Sequence, residues 1–182
     1  MEKFLFMVLL GCKPEGRNTE QHDVFFGIGS SLADLKPAMQ KFWPGVKLHI
    51  DAWAQIDYVD YSAIIVLEAE EKQPDIYTEN LFFINLGGYK PGEFEEYHKK
   101  ILFCGQDIAE AINYAKVTPF YVAGQSLETG SRSHIDDKFE VDEVIAVNDL
   151  LQDKRYKVYG ANVMSVQKEL TMNIGYLSFS KF

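Results

Sequence analysis

The stretch LFMVLLGCKP at residues 5–14 decides the fold, because the chain repeats it as FFINLGGYKP at residues 82–91. Five positions are identical when the second stretch is offset by 77: Phe6/Phe83, Leu9/Leu86, Gly11/Gly88, Lys13/Lys90 and Pro14/Pro91. An apolar run that ends at a Gly/Lys/Pro turn is typical of a buried β-strand. We therefore predict a core strand at each of the two stretches.

The repetition extends beyond these two strands. Further residues match at offsets of 76 and 85, in the same order along the chain: Glu20/Glu96, His22/His98, His49/His134 and Asp51/Asp136. We predict a tandem duplication, with copy 1 at residues 1–72, copy 2 at residues 78–160 and a C-terminal extension at residues 161–182. Copies of this size are small for independent domains, so we expect them to share one core.

Each copy is predicted to be a ββαββ-type unit with one helix. The helix of copy 1 is expected to follow a cap at Ser30 or Ser31, and the helix of copy 2 is expected at residues 106–116, before a loop at residues 123–133. Strands are predicted at residues 4–11, 22–29, 47–56 and 62–69 of copy 1, with further edge strands at 156–164 and 175–179. The predicted class is α+β with a mixed or antiparallel sheet.

Composition excludes several classes of protein. The chain has 182 residues, of which 47% are hydrophobic and 25% are charged, as in ordinary globular proteins and unlike disordered or coiled-coil chains. Its net charge of −9 disfavours nucleic acid and anionic membrane as partners. We expect a small molecule or a protein as partner, and a homo-oligomer remains open.

The cysteines and the N-terminus indicate a cytoplasmic protein. Cys12 and Cys104 supply neither a disulfide framework nor a zinc-finger spacing, which favours a reducing compartment. The first twelve residues are similar to a lipoprotein signal, but the apolar run at residues 4–10 is short and follows Glu2. We therefore expect this run to be a strand rather than a signal.

A histidine and carboxylate cluster is the strongest candidate for chemistry. Glu20 and His22 are two residues apart, as are His49 and Asp51, so each pair shares one face of a strand. If the two strands are neighbours, the four side chains meet. Such a cluster can bind Zn²⁺, Mn²⁺ or Fe²⁺, or it can supply a histidine base oriented by a carboxylate. A divalent metal is therefore the cofactor that these residues suggest.

The second copy offers Glu96, His98, His134 and Asp136 for an equivalent cluster, with Lys99 in place of Asp23. Both sets of residues also have a purely structural interpretation. A histidine and a carboxylate on one strand can form a hydrogen-bonded pair that maintains the register, or they can bond the backbone of a turn. The sequence alone favours this structural interpretation.

A weaker candidate is the loop that follows the first strand. Lys13 and Arg17 are predicted to face an anionic ligand there, together with Asp23, although Lys-Pro is also a common turn element. The chain carries none of the nucleophile-elbow, zinc-protease, kinase or dinucleotide-binding motifs. The sequence therefore predicts a module that binds a small ligand or a protein. The alternative is a metal-dependent or acid/base hydrolase that uses the His/carboxylate cluster, and whether the protein is an enzyme stays open.

Four segments carry a family resemblance: LFMVLLGCKPEGR, EQHDVFFGIG, LFFINLGGYKPGEFEEYH and SHIDDKFEVD. They resemble the bacterial family known as domain of unknown function 1543, including its two-copy arrangement. The resemblance extends over residues 4–142. It implies a bacterial source, and it assigns no activity to any residue.

Overall fold

The structure is a computed structural model that describes residues 2–72, 78–89, 92–125, 140–163 and 165–181. The chain divides into two compact units. Unit 1 comprises Met1–Thr78 and Asn148–Phe182, and unit 2 comprises Glu79–Val147. The predicted copy boundaries and the shared core stay predictions.

Unit 1 contains a four-stranded antiparallel sheet. Its strands are β1 (Phe4–Cys12), β2 (Gln21–Gly29), β3 (His49–Gln55) and β10 (Asn173–Ser178). The order across the sheet is β10-β3-β1-β2, so β1 lies between β2 and β3. Because β2 and β3 flank the same strand, residues from both can meet above it.

A short helix connects β2 to β3. A 3₁₀ turn at Leu32–Leu35 leads into α1 (Lys36–Phe42). The predicted cap at Ser31 is confirmed, since the Ser31 side chain accepts a hydrogen bond from the Asp34 amide and the Asp34 carboxylate accepts one from the Ser31 amide. Pro37 lies in the first turn of α1, where its missing N–H costs no helical hydrogen bond.

The core of this sheet lies on one face, against the helix. Every second residue of β1 points to it, together with apolar residues of β2, the helical segment and β3; these buried residues are Phe6, Val8, Leu10, Cys12, Phe25, Leu35, Met39, Leu48 and Ile50. Because side chains alternate along a strand, Gly11 belongs to the opposite face. A site built around Gly11 is therefore separated from the core by the sheet itself.

A second antiparallel ladder completes unit 1. It is formed by β4 (Tyr58–Val59), β5 (Ser62–Glu68) and β9 (Tyr156–Asn162). The side chain of Asn148, in the short helix α4 (Val147–Leu150), bonds both the amide and the carbonyl of Val158. A 3₁₀ turn follows β10 at Phe179–Lys181, and Lys36 donates a hydrogen bond to the Phe179 carbonyl.

Unit 2 contains a three-stranded antiparallel arrangement with helices. Its elements are β6 (Thr78–Tyr89), β7 (Glu96–Gly105), α2 (Ile108–Val117), α3 (Pro119–Gln125) and β8 (Glu140–Ala146). β6 pairs with both β7 and β8. Its buried core residues are Phe82, Ile84 and Leu86 of β6 and Ala111 and Ala115 of α2.

The predicted α+β class with antiparallel sheets is confirmed. The prediction of one helix per copy is wrong for unit 2, because the residue before Pro119 is extended and a second helix, α3, begins at the proline. The end of α3 also replaces the start of the loop predicted at residues 123–133, and the rest of that loop lies outside the described residues. The tandem duplication stays a prediction.

None of the helices in the described parts of the chain combines the length and the apolar character needed to cross a membrane.

Candidate metal centre

A glycine in the central strand of unit 1 makes room for two histidines. Gly11 of β1 pairs with His22 on one side and with His49 on the other. Paired residues share a face of the sheet, so both imidazoles stand beside the glycine. A Cβ atom on Gly11 would overlap His49 Nε2 and would lie 2.5 Å from Asp51 Oδ2. The missing side chain is therefore what allows these groups to converge.

A β-bulge places the fourth residue. Leu10 pairs with Ile50 and Leu9 pairs with Ala52, so Asp51 is the extra residue of β3 at this point. A bulge bends its strand and redirects the side chain of the extra residue. The Asp51 carboxylate is thereby directed to the same point as the two imidazoles.

The side chains of Glu20, His22, His49 and Asp51 form the unit 1 cluster. Asp51 Oδ2 lies 3.1 Å from His22 Nε2 and 3.2 Å from His49 Nε2. The Glu20 carboxylate lies 3.3 Å from His49 Nε2 and 3.7 Å from His22 Nε2. One ligand atom from each of Glu20, His22 and His49 lies within 4.8 Å of the other two. The structure thus brings together the four residues that the sequence singled out.

The cluster leaves one buried oxygen unsatisfied. Asp51 Oδ2 is buried and has no hydrogen-bond partner of acceptable geometry among the described residues, although two imidazole nitrogens lie close to it. Buried carboxylate oxygens without a donor are costly, so such an atom calls for a partner. The two Nε2 atoms converge beside this oxygen without bonding it, as ligands do around a shared cation.

The separations match those around a small metal ion. A tetrahedral ion bound at about 2.1 Å holds its ligand atoms about 3.4 Å from one another. The four distances of 3.1 to 3.7 Å in the cluster bracket this value. These four distances, each from a carboxylate to an imidazole, are compatible with one ion shared by the two histidines and the two acidic residues.

The cluster is closed on one side and open on the other. The side chain of His49 is 7% exposed and that of Asp51 is 27% exposed, whereas those of His22 and Glu20 are 43% and 45% exposed. An ion bound here would therefore contact the buried His49 and stay accessible to solvent on the side of His22 and Glu20.

Sequence reasoning missed an aromatic residue beside the cluster. Tyr176 of β10 lies with its ring centroid 4.8 Å from that of His49, at an angle of 31° between the planes. It follows Gly175, whose φ of +136° favours glycine, at the irregularity where β10 skips pairing between Ile174 and Leu177. The Gly-Tyr pair in the predicted edge strand was the one available signal, and nothing in the sequence connected it to His49.

The other candidate residues of unit 1 do not belong to the unit 1 cluster. Lys13 and Arg17 are exposed in the loop between β1 and β2, and the Arg17 amide closes a turn onto the Pro14 carbonyl. Asp23 follows His22 in β2 and so takes the opposite face, where its Oδ1 accepts a hydrogen bond from the Val24 amide.

Cys12 points into the core, on the other face of β1 from Gly11. Burial and, to a lesser degree, the negative charge of Glu20 raise the pKa of its thiol. A raised pKa keeps the sulfur protonated, and a protonated thiol is neither a nucleophile nor a metal ligand. Cys12 is therefore a packing residue.

Unit 2 contains a related but different cluster, which we call the unit 2 cluster: Glu96, His98 and Asp142. His98 Nε2 lies 3.7 Å from Glu96 Oε2 and 3.6 Å from Asp142 Oδ2. A Cβ atom on Gly87 would overlap the Asp142 carboxylate. The negative charge of Glu96 is the main reason why the pKa of the nearby Tyr89 is raised.

The structure describes only part of the predicted second cluster. Glu96 and His98 are present as expected, but His134 and Asp136 lie outside the described residues. Asp142, which the sequence did not single out as a site residue, also approaches His98. Gly87 of β6 and Asp142 of β8 were therefore the signals of this cluster that sequence reasoning did not use.

Comparisons with known proteins bear on the family and the fold. The model of the family described as domain of unknown function 1543 matches residues 17–66, a segment that contains all four residues of the unit 1 cluster. The predicted resemblance to this family is thereby confirmed. The crystal structure of protein Il1583 from Idiomarina loihiensis is similar over 100% of both chains, with a TM-score of 0.63 and 22% identity, which shows a common fold. A search of curated proteins found no match.

Proposed function

We propose that the protein binds one divalent transition-metal ion through Glu20, His22, His49 and Asp51. The observation that carries the proposal is the convergence of these four side chains above Gly11, with an unsatisfied Asp51 oxygen at its centre. In this proposal the protein is a binding module whose small ligand is the metal ion, together with any molecule that the ion recruits.

The donor set favours Zn²⁺ and ions of similar character. Imidazole nitrogen suits Zn²⁺, Fe²⁺, Cu²⁺ and Ni²⁺, and two such donors combined with two carboxylates give a four-coordinate site. The two carboxylates also carry a charge of −2, which a divalent cation offsets. A purely structural role explains the His/carboxylate pairs less well, because it leaves Asp51 Oδ2 without a donor.

The hydrolase alternative rests on the exposure of Glu20 and His22. An ion that is open to solvent on this side can take water as a further ligand and lower its pKa, which produces a nucleophile for hydrolysis. Glu20 is then the natural base, because it precedes β2 and its carboxylate reaches the open side.

Hydrolysis of an ester or phosphate model substrate that requires Zn²⁺ and is lost in Glu20→Gln would support this alternative. Retention of tight Zn²⁺ binding without turnover would leave the protein a binding module.

We also propose that the protein is cytoplasmic. Cys12 and Cys104 are both in the thiol form, which suits a reducing compartment. The acidic net charge of −9 suits a protein that avoids nucleic acid and anionic membranes.

Isothermal titration of the full chain with Zn²⁺ tests the proposal. Asp51→Asn keeps the shape of the side chain and removes its charge, and Asp23→Asn makes the same change on the other face of the sheet. We expect wild type and Asp23→Asn to bind Zn²⁺ with equal affinity, whereas Asp51→Asn loses the site. A Zn²⁺ concentration of about 100 times the Kd should stabilise the two binding proteins by about 2.7 kcal/mol. Equal binding by Asp51→Asn would contradict the proposal.

A further inference from the structure

We propose that the ion bound by the unit 1 cluster recruits a small organic monoanion, such as a carboxylate, with an apolar tail of about four to six carbons. The anionic head binds the ion, and the tail lies on an apolar strip beside the cluster, formed by Leu9, Val24, Ala52 and Ile174. This inference rests on the proposed function, because it names the class of molecule that the bound ion recruits.

The apolar strip is one row of paired residues across the sheet of unit 1. Leu9 of β1 pairs with Val24 of β2 and with Ala52 of β3, and Ala52 pairs with Ile174 of β10. Paired residues share a face of a sheet. The four side chains therefore form a continuous apolar row that crosses all four strands.

This row lies next to the unit 1 cluster, on the same face of the sheet. Leu9 is two residues from Gly11 in β1, so both belong to the face away from the core. The bulge in β3 keeps His49 and Ala52 on one face, although an unbroken strand would place them on opposite faces. Because a strand rises about 3.4 Å per residue, the strip is about 7 Å from the point where the cluster converges.

The apolar strip keeps part of its surface in contact with solvent. Leu9, Val24 and Ala52 are half-buried, and Ile174 is 82% exposed. Contiguous apolar surface beside a few convergent polar groups is typical of sites that bind small molecules. The tail of a molecule whose head is bound to the ion can therefore leave water by lying on this row.

The next row along the sheet limits the length of the tail. Met7 pairs with Phe26 and with Ala54, and the last two residues are only 2% and 1% exposed. This row is about 14 Å from the cluster, so the accessible part of the face ends about 10 Å from an ion above Gly11. A tail of four to six carbons fills that distance, and further carbons gain no contact.

The charge of the cluster determines the head group. Glu20 and Asp51 offset the charge of a divalent ion, so the loaded site is close to neutral and accepts one more anionic oxygen. Zinc sites expand to five ligands, and the exposed side of Glu20 and His22 leaves room for the fifth. The net charge of −9 of the chain disfavours a head with several negative charges.

Titration of the full chain loaded with one equivalent of Co²⁺ tests the inference. Co²⁺ replaces Zn²⁺, and its visible absorption changes when a carboxylate binds to it. The probes are acetate, butyrate, hexanoate and octanoate. Full burial of one CH₂ group strengthens binding about fourfold, so we expect the affinity to rise at least about tenfold from acetate to hexanoate. From hexanoate to octanoate we expect a change of less than about twofold.

Two substitutions test whether the tail lies on the apolar strip. Val24→Thr replaces a methyl group by a hydroxyl group at nearly constant shape, and Ile174→Thr makes an exposed side chain shorter and polar. Each should lower the ratio of hexanoate affinity to acetate affinity at least about twofold while the cluster still binds Co²⁺. Ile108→Thr makes the same change at an exposed isoleucine of unit 2 and should leave the ratio unchanged.

The outcomes separate this inference from the proposed function. If wild type does not bind Co²⁺ or Zn²⁺, both proposals are wrong. If Co²⁺ binds to wild type and not to Asp51→Asn, and the four carboxylates bind with equal affinity, the metal site stands and the inference is refuted. A steady gain through octanoate, or an unchanged ratio in both strip variants, also refutes the inference. A dimer in analytical ultracentrifugation that Ile174→Thr dissociates would show that a second copy covers the strip instead.

Discussion

At the scale of single residues, the missing side chain of Gly11 matters as much as the four proposed metal ligands. Gly11 is the point at which His22 and His49 meet, because its two strand partners are these histidines. Strand periodicity predicts that His22 shares a face with Glu20, which the structure bears out in their proximity. The role of Gly11 could not be predicted, because it depends on which strands are neighbours and on their register.

Gly11→Ala tests this role. The added Cβ overlaps His49 Nε2 and crowds Asp51, so we expect the variant to lose Zn²⁺ binding and about 1–3 kcal/mol of unfolding free energy. Calorimetry and denaturant unfolding provide the two measurements. Gly87→Ala introduces the same overlap in unit 2 and should retain the Zn²⁺ site of unit 1. Full Zn²⁺ affinity in Gly11→Ala would show that the cluster is not the binding site.

Tyr176 is the second residue whose role can be tested. Its ring packs on His49 while 70% of the residue is exposed, so it covers the imidazole without closing the site. Aromatic contacts of this kind contribute about 0.5–1.5 kcal/mol, so Tyr176→Ala should weaken Zn²⁺ binding by up to about tenfold. Tyr176→Phe keeps the ring and should bind like wild type. Loss of binding in Tyr176→Phe would instead make the hydroxyl the important group.

At the scale of elements, local sequence predicted the strands and the helix cap better than it predicted their alignment. Residues 4–11 and 22–29 are strands as expected, and Ser31 caps the helical segment. The match of His49 with His134 stays a prediction, because residue 134 lies outside the described residues, whereas the bulge that places Asp51 was not predicted. Bulges and strand neighbours are set by long-range pairing, which a linear alignment does not contain.

The capping box of the first helical segment makes an element-scale prediction about pH. A hydrogen bond from the Ser31 side chain is the main cause that lowers the pKa of Asp34 below its ordinary value, with the Ser30 amide adding to it. A lowered pKa means that the folded state favours the charged carboxylate. The stabilisation is thus present above the ordinary pKa and is lost as the pH falls through the lowered one.

We expect Asp34→Asn to lower the melting temperature at pH 7, and we expect this difference to shrink as the pH falls through the lowered pKa of Asp34 and the wild-type carboxyl is protonated. Ser31→Ala should cost about 1 kcal/mol at neutral pH, as is usual for the loss of an N-cap. Thermal unfolding across this pH range provides the measurement. A melting-temperature difference between wild type and Asp34→Asn that does not change with pH would contradict the assignment.

At the scale of the whole molecule, the fold provides two units, and each has an antiparallel sheet that carries a cluster of histidine and carboxylate side chains. The α+β class follows from hydrophobic patterns that the sequence displays openly. The assignment of residues 148–182 to unit 1 cannot be predicted from such patterns, because β9 and β10 pair with strands that lie far away in sequence. Tyr176 reaches His49 only through this long-range pairing.

Hydrogen exchange tests how metal binding is distributed over the molecule. Zn²⁺ bound to Glu20, His22, His49 and Asp51 ties β2 to β3 across β1, so amide exchange in these three strands should become slower. Strands β7 and β8 should respond less to Zn²⁺ than these three strands do. Uniform protection of the whole chain by Zn²⁺ would argue against a site localised in unit 1.

The most direct measurement is X-ray absorption at the zinc edge, on the full chain loaded with one equivalent of Zn²⁺. We predict two imidazole nitrogens and two carboxylate oxygens at about 2.0–2.2 Å, with the imidazole signal reduced by half in His22→Ala. A spectrum of oxygen ligands without imidazole, identical in wild type and Asp51→Asn, would contradict the assignment of the unit 1 cluster as a metal centre.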